Sequence, residues 1–255
     1  MNDLDGTGDP LARVIVAARR SGRRAVRDAA PAPRDRLQAY ATQQAVARAL
    51  GARVGGWKVG MLADGTPTAA PMFAADMAAS GARWTLPAEG SLVVEVEVAL
   101  RLARDLPARP ARPYARDEIA AAVDAVLVGV ELLQSRFAGD GFPPFLLHVA
   151  DNLGNAGYVA GDATREFAAL DLARLRCRYT IDDTQRHDAV GGHPQDDPWT
   201  PVLASLMEDA LPLGGYRAGQ IVTTGTLVPP VTIDRPQRLR ATLDGIGAVD
   251  VAFVR

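Results

Sequence analysis

The chain has 255 residues, of which 48% are hydrophobic, and a formal net charge of −2. This length and apolar fraction allow one large domain with a substantial core, and the near-neutral charge gives no general attraction to nucleic acid or to an anionic membrane. The single cysteine, Cys177, excludes an intrachain disulfide and a cysteine-rich zinc site. No apolar run is long enough for a transmembrane helix, and the acidic N-terminus is unlike a signal peptide, so a cytoplasmic protein is expected.

The first 52 residues predict two helices. Residues 1–8 are expected to be disordered, and Asp9 followed by Pro10 is typical of a helix start. A second helix is predicted from Arg34 to Leu50 and ends at Gly51. The first helix carries a basic face without the interleaved aromatic residues of an RNA-binding surface, so we assign this face to solvent or to a subunit contact. Its arginines are Arg19, Arg20, Arg23, Arg24 and Arg27.

Strands dominate from Val54 onward and do not alternate regularly with helices. This order predicts the α+β class rather than a doubly wound sheet. We therefore predict an N-terminal helical segment over residues 1–52 and a β-rich domain over residues 53–255. Within the second part, the patterns predict helices over 114–123, 143–151 and 201–211, strands over 172–181 and 220–226, and a hairpin over 238–254.

The stretch from Leu92 to Leu102 has the strongest strand pattern of the chain. Every second residue is apolar, and the opposite face carries Glu95 and Glu97, roughly 7 Å apart along the strand. Adjacent glutamates repel each other and are costly to bury without compensation. A divalent cation between them removes both objections, because hard ions prefer carboxylate ligands. The alternative interpretation is the solvated face of an edge strand.

Three further residues are candidates for the same site. Glu131 stands alone in an apolar run, and because a buried strand does not normally tolerate an unpartnered carboxylate, we predict that it is directed at the same cation. Lys58 lies between apolar residues in a short strand, where it is either an edge-strand charge or a desolvated lysine with a depressed pKa that moves protons. Asp76 is either a cap or turn residue or part of the site.

Several common kinds of catalytic motif are absent from the sequence. It has no nucleophile elbow, phosphate-binding loop or dinucleotide fingerprint, and its three histidines lack metal-ligand spacing. The best remaining cofactor is Mg²⁺, or Mn²⁺, held by carboxylates.

Taken together and in order, several segments resemble the 2-keto-4-pentenoate hydratase and 4-oxalocrotonate decarboxylase family, within the fumarylacetoacetate hydrolase-like group. The resemblance implies a mixed β-sandwich roll with an N-terminal helical part, the roll being the catalytic domain. It extends over roughly residues 50–230 and is carried by Gly56–Gly60, Met72–Met77, Val94–Ala99, Glu131–Arg136, Val149–Asn152, Gly192–Pro194, Ala218–Gln220 and Thr223–Thr226.

The resemblance also implies roles for individual residues. Glu95, Glu97 and Glu131 would hold the metal, in agreement with the strand pattern. Lys58 and Asp76 would lie beside the substrate as acid/base or positioning groups. The substrate carboxylate would lie near Gly225 and Thr226, for which a plain turn at the end of the strand is the alternative interpretation.

The activity implied is a metal-dependent hydro-lyase reaction, in which water adds to a 2-hydroxy-2,4-dienoate to give a 4-hydroxy-2-oxo acid. Gln134 stands where the family pattern has Asp, and Leu153–Asn155 replaces a serine-rich stretch. A 2-oxo-acid decarboxylase, a C–C bond hydrolase and a non-catalytic member therefore remain alternatives. The family further implies a role in aromatic compound catabolism, a small 2-oxo acid substrate, a homo-oligomer and a complex with a neighbouring enzyme of the pathway.

Overall fold

The computed structural model describes residues 8–29, 31–207 and 214–255. Two helices, α1 (Pro10–Ser21) and α2 (Arg36–Leu50), form its N-terminal part. The Asp9 carboxylate caps α1 by accepting hydrogen bonds from two backbone N–H groups, and both helices end at glycines with left-handed backbone, Gly22 and Gly51. Both predicted helices are confirmed. Disorder is expected for residues 1–8, and of these only Gly8 belongs to the described residues.

Strands and short helices make up the rest of the described chain. Three single 3₁₀ turns cover Ala74–Asp76, Asn152–Gly154 and Leu172–Arg174. In chain order, the other elements are β1 (Val54–Met61), β2 (Pro67–Phe73), β3 (Met77–Ala79), β4 (Ala82–Thr85), β5 (Leu92–Leu102), β6 (Leu106–Pro107), α3 (Arg116–Ala120), β7 (Val123–Leu133), α4 (Phe145–Ala150), β8 (Asn155–Thr164), β9 (Arg176–Ile181), β10 (Thr184–Val190), α5 (Trp199–Ser205), β11 (Gly215–Tyr216), β12 (Ile221–Thr226), β13 (Val231–Ile233), β14 (Gln237–Leu243) and β15 (Gly247–Val254).

The described strands form sheets of eight, five and two strands. The largest has the order β2-β1-β12-β5-β7-β8-β3, with β13 paired to β5, and the second has the order β10-β9-β14-β15-β4. Strands β14 and β15 of the second sheet pack against the largest sheet at β7 and β8. Parallel pairs such as β1 with β12 occur beside antiparallel ones. This architecture confirms the predicted α+β class and mixed β-sandwich roll.

The centre of the largest sheet is the antiparallel pair of β5 and β7. Val94, Val96 and Val98 on one face of β5 are completely buried in the core, as their period of two predicts. β5 pairs with β7 on one side and with β12 and β13 on the other. The alternative interpretation of this stretch as an edge strand is therefore wrong.

Three predicted elements differ in length from the observed ones. The helix expected over 114–123 is reduced to α3, because the chain enters β7 at Val123. The strand expected over 172–181 starts only at Arg176, since the Asp171 carboxylate caps a 3₁₀ turn at Ala173. The helix expected over 201–211 is α5, and positions 208–211 lie outside the described residues.

The N-terminal helices are attached to the sheet by buried polar contacts. The side-chain amide of Gln43 on α2 donates to the carbonyl of Ala69 at 3.2 Å and to that of Val149 at 2.6 Å. The division of the chain into parts 1–52 and 53–255 stays a prediction. None of the helices in the described residues combines the length and apolar character that crossing a bilayer requires.

A buried ion pair joins the chain after β7 to the turn before β8. Arg136 Nε lies 2.5 Å from Asp151 Oδ1, and the two side chains are 8% and 0% exposed. Arg136 also donates to the carbonyl of Asn155 at 2.8 Å. The pair therefore fixes residues 151–155 against the end of β7.

We expect Asp151→Asn to lower the free energy of unfolding by about 3–5 kcal/mol, because the buried guanidinium of Arg136 loses its counter-charge. Urea denaturation followed by circular dichroism measures this change. The matched control is Asp188→Asn, which breaks an equally short but exposed pair with Arg176 and should change stability much less. Equal losses in the two variants would contradict the importance of burial.

Candidate metal centre and active site

Three carboxylates come together on one face of the largest sheet. The register of β5 and β7 puts Glu95 directly opposite Glu131, and Glu97 lies two residues further along the same face of β5. One ligand oxygen from each of the three carboxylates lies within 4.8 Å of the other two. The structure therefore brings together the three acids that the sequence suggested for a metal.

The burial of these acids leaves their negative charges only partly compensated, and a bound cation would compensate them. Glu97 and Glu131 are 1% and 0% exposed, and one carboxylate oxygen of each, Oε2, is buried without a hydrogen-bond partner. Burial raises the pKa of Glu97 well above its usual range, and the charges of Glu131 and Glu95 raise it further. Burial likewise raises the pKa of Glu131, against the opposing effect of Lys58. Oxygens from three carboxylates, two of them buried without a partner, form the donor set that Mg²⁺ and Mn²⁺ prefer, so the residues fit such an ion.

Lys58 provides a positive charge to this cluster. Its Nζ lies 3.0 Å from Glu131 Oε1 and donates at 3.5 Å to the carbonyl of Leu153. Burial alone lowers the pKa of Lys58, but the three nearby carboxylates together raise it above its ordinary value. Both sequence-based interpretations of Lys58 need correction: β1 is not an edge strand, because it lies between β2 and β12, and the pKa is raised rather than depressed.

The composition of the chain contains a further signal for Lys58. Lys58 is the only lysine among the 28 lysine and arginine residues of the chain. Lysine is a compact cation whose proton is transferable, whereas arginine remains protonated. Every other lysine or arginine position of the chain is an arginine, and the one lysine lies beside buried carboxylates. This choice indicates that Lys58 has a role that arginine does not fill.

Asp76 lies apart from the carboxylate cluster, at the end of the 3₁₀ turn between β2 and β3. Its ion-pair partner is Arg19 on α1, with 3.6 Å between Arg19 Nη1 and Asp76 Oδ2. Burial raises the pKa of Asp76, and the charges of Arg19 and Arg136 oppose this effect. Asp76 lines a cavity of about 720 Å³ together with Arg19 and Gln134.

Gly225 and Thr226 lie at the end of β12, where the register puts Thr226 directly opposite Glu97. The Thr226 hydroxyl donates to the carbonyl of Val228 at 2.8 Å, so the backbone already occupies it. Gly225 has a φ of 113°, in a bulge of the β12–β5 pairing where a residue with a side chain would be strained. A role of these two residues in binding substrate stays a prediction.

Sequence reasoning missed three residues on the same face of the sheet. Thr223 pairs in register with Lys58, and its buried hydroxyl interacts with the Glu97 carboxylate, which partly opposes the rise in the pKa of Glu97. Asn155 donates from Nδ2 to Glu131 Oε1 at 2.8 Å. Tyr158 stands opposite Glu131, completely buried, with an unpartnered hydroxyl.

The position of Tyr158 depends on a glycine. Its hydroxyl crosses Gly129 so closely that a Cβ there would lie 1.9 Å from Oη. Gly129 is the residue opposite Glu97, so the phenol extends over β7 in the direction of that carboxylate. The register between β7 and β8 would have revealed this neighbour, but the sequence alone does not fix that register.

Comparison with known proteins gives several relatives over most of the chain, although no model of a known protein family matches it. The chain is 31% identical over 270 aligned residues to a 2-keto-4-pentenoate hydratase of Burkholderia vietnamiensis, with 99% of both chains covered. It is 30% identical over 238 residues to 2-keto-4-pentenoate hydratase 2 of Dechloromonas aromatica, with 86% of each chain covered.

Solved structures share the fold at lower sequence identity. The 4-oxalocrotonate decarboxylase of Pseudomonas putida G7, complexed with magnesium and adipate, superposes with a TM-score of 0.78 at 21% identity over 96% of both chains. Fumarylpyruvate hydrolase of Pseudomonas aeruginosa, in complex with Mn²⁺ and pyruvate, gives a TM-score of 0.58 at 16% identity, covering 80% of this chain and 90% of the hydrolase. These likenesses agree with the architecture described above.

We expect Glu97→Gln to have opposite effects with and without metal. Without a divalent ion, the variant should be at least as stable as the parent protein, because a buried like-charge repulsion is removed. Mg²⁺ at 100 times its dissociation constant should stabilise the parent by about 2.7 kcal/mol and the variant far less. Thermal unfolding with and without MgCl₂ measures both effects.

The control for this experiment is Glu166→Gln, which removes an exposed carboxylate outside the cluster. It should leave the Mg²⁺-dependent stabilisation unchanged. A Glu97→Gln protein that keeps the full Mg²⁺ effect would exclude Glu97 as a ligand.

Proposed function

Because the chain belongs to the 2-keto-4-pentenoate hydratase family, we propose that it is a metal-dependent hydro-lyase that adds water to a 2-hydroxy-2,4-dienoate and forms a 4-hydroxy-2-oxo acid. The observation that carries the proposal is the convergence of Glu95, Glu97 and Glu131 within 4.8 Å, with Lys58 against one of them. This arrangement combines a place for a hard cation with a proton carrier in one buried site.

Glu95, Glu97 and Glu131 would hold Mg²⁺ or Mn²⁺. When bound, such an ion supplies Lewis-acid stabilisation of the negative charge that develops on the 2-oxygen of a 2-oxo acid. Glu97 and Glu131 are almost completely buried, and the low local dielectric strengthens electrostatic interactions there.

We assign the movement of protons in this reaction to Lys58. The dienol must lose the proton of its 2-hydroxyl and gain one at C5; water then adds at C4 while C3 gains a proton. Lys58 Nζ carries a proton next to Glu131, and its side chain is only 13% exposed. It therefore delivers protons to the carbon chain from inside the site rather than from solvent. Asp76 is the candidate for orienting the water from the cavity side.

The alternative reactions of this fold make different demands on the site. A C–C bond hydrolase needs a water activated by a histidine next to a carboxylate, and no histidine donates to a carboxylate within the described ranges. His193 instead contacts the carbonyl of Thr224 at 2.7 Å. A decarboxylase would use the same carboxylates and is distinguished from a hydratase only by its product.

The cellular setting forms part of the proposal. We expect a small 2-oxo acid as substrate, a homo-oligomeric enzyme of the cytoplasm, and a place in the catabolism of aromatic compounds next to another enzyme of the pathway. The relatives named 2-keto-4-pentenoate hydratase support the substrate class.

Turnover of 2-hydroxypenta-2,4-dienoate tests the reaction directly. We expect the purified protein with Mg²⁺ to remove the ultraviolet absorbance of the diene and to form 4-hydroxy-2-oxopentanoate, because water addition breaks the conjugation. A chelator should abolish turnover, and Mg²⁺ or Mn²⁺ should restore it. Release of carbon dioxide from 2-oxohex-3-enedioate without any hydration would instead identify a decarboxylase.

A Lys58→Met variant separates proton transfer from metal binding. We expect kcat to fall about 10²- to 10⁴-fold, because the proton carrier is lost. Mg²⁺-dependent stabilisation should persist, since the three carboxylates remain and lose a competing cation. Lys58→Arg is the matched control: it keeps the charge but binds its proton too tightly, so it should also be inactive. Full activity of either variant would contradict the proposed role.

A further inference from the structure

The cavity that contains Asp76 is strongly basic. Its volume is about 720 Å³, and it lies between α1, the entry to β1 and the segment that follows β7. Asp76 is the one carboxylate among its described lining residues, and Gln134 contributes a neutral amide. Six arginines face it: Arg19, Arg20, Arg23, Arg24, Arg53 and Arg136. Four of the five arginines that the sequence assigned to a basic face thus line this cavity, and Arg20 and Arg23 among them are exposed, as a solvated face predicts.

Some of these arginines already have structural partners. Arg136 is held by Asp151, and Arg24 donates to the backbone carbonyls of Phe137 and Gly139. Arg23 lies 3.9 Å from the carboxylate of Glu89, and Arg20 donates to the carbonyl of Ala49 at 3.1 Å. These contacts fix the cavity wall and leave the cation of Arg19 and that of Arg53 as the ones to explain.

Arg19 is a buried cation with incomplete compensation. Its side chain is 11% exposed, its guanidinium stacks over the ring of Phe73, and its Nε is buried without a partner. The carboxylate of Asp76 is 3.6 Å away, beyond good hydrogen-bond distance. Burial, assisted by the charge of Arg136, lowers the pKa of Arg19 to about 9, although the charges of Asp151 and Asp76 oppose this shift. An additional anion in the cavity would compensate this charge.

Arg53 provides a second cation at the cavity, directly before β1. Its backbone carbonyl accepts a hydrogen bond from Ala74 N–H, which fixes the position of the residue. Its exposed side chain has no hydrogen-bond or ion-pair partner among residues 8–29, 31–207 and 214–255. Two guanidinium groups, one buried and one free, are therefore available to a ligand.

One residue connects this cavity to the metal centre. The carbonyl of Asn155 accepts from Arg19 Nη2 at 3.1 Å, and the amide of the same residue donates to Glu131 Oε1 at 2.8 Å. A substrate whose 2-oxo acid end lies at the three carboxylates therefore has the basic cavity next to it.

We propose that Arg19 and Arg53 bind a second, distal carboxylate of the substrate, so that the protein prefers 2-hydroxy-dienoates that are dicarboxylates. This inference rests on the proposed function and narrows its substrate class. Guanidinium groups match carboxylates in shape and charge. A substrate with an uncharged tail would leave the positive charge of Arg19 without an additional counter-charge, as in the free protein.

The same arrangement favours hydration over loss of the distal carboxylate. Arginines that bind a carboxylate stabilise its charged form. Departure as carbon dioxide removes that charge from the cavity, so the arginines would stabilise the starting state more than the transition state. The second carboxylate is thus a recognition group that remains on the product.

Two stable six-carbon 2-oxo acids test the proposal by binding. 2-Oxoadipate ends in a carboxylate and 2-oxohexanoate in a methyl group, and the two are otherwise alike. In the presence of Mg²⁺, isothermal titration calorimetry should show that 2-oxoadipate binds about 10- to 100-fold more tightly, as charge-assisted hydrogen bonds imply. Arg19→Gln and Arg53→Gln should each reduce this ratio.

Arg13→Gln is the matched control, because Arg13 is an exposed arginine of the same helix that does not line the cavity. It should leave the ratio unchanged. Arg53→Gln alters an exposed side chain, so it tests the proposal even if Arg19→Gln fails to fold. Equal binding of the two acids, or a ratio that neither cavity variant changes, would overturn the proposal.

Oxalate separates failure of this inference from failure of the proposed function. It has the metal-binding end of a 2-oxo acid and no tail. Mg²⁺-dependent binding of oxalate without discrimination between the six-carbon acids would overturn the dicarboxylate assignment alone. Absence of any Mg²⁺-dependent binding, of oxalate and of both acids, would overturn the metal centre and this inference with it.

Discussion

The burial of like charges at the centre of a sheet constrains the rest of this structure. Glu97 and Glu131 are almost completely inaccessible to solvent, and Glu95 adjoins them. Carboxylates this close do not all ionise unless positive charge is supplied, and Lys58 supplies one unit of it. A shift of β5 by one residue would exchange its valines with its glutamates and place the acids in the apolar core, so the chemistry and the strand register depend on each other.

The two kinds of cationic side chain have different tasks in this protein. Arginine is permanently protonated and appears where charge must be fixed, as in the buried pair with Asp151 and along the basic cavity. Lysine, whose proton is transferable, occurs once, at position 58, in contact with Glu131. In the proposed mechanism the arginines only fix charge, whereas Lys58 both compensates the carboxylates and moves protons.

The sequence was most informative where one strand contains the whole pattern. Glu95 and Glu97 could be selected because alternation along a strand determines which side chains share a face. Glu131 could be selected because it is a lone carboxylate in an apolar run. Thr223 and Tyr158 were not found, because their place beside Lys58 and Glu131 depends on the register between strands distant in sequence. The arginines of α1 were assigned to a surface for a similar reason: helical spacing identifies a basic face, but not what packs against it.

The turn between α4 and β8 argues against a protein that has kept the fold but lost the chemistry. Asn152 and Leu153 have φ angles of 52° and 49°, a left-handed backbone that costs roughly 1–2 kcal/mol for each residue with a side chain. In this conformation the carbonyl of Leu153 contacts Lys58, and Asn155 joins Glu131 to Arg19. The strained backbone of this segment and the unpartnered carboxylate oxygens of Glu97 and Glu131 both lower stability. Without a bound cation, apolar residues in place of these glutamates would make the protein more stable. The presence of the glutamates therefore favours a working metal centre.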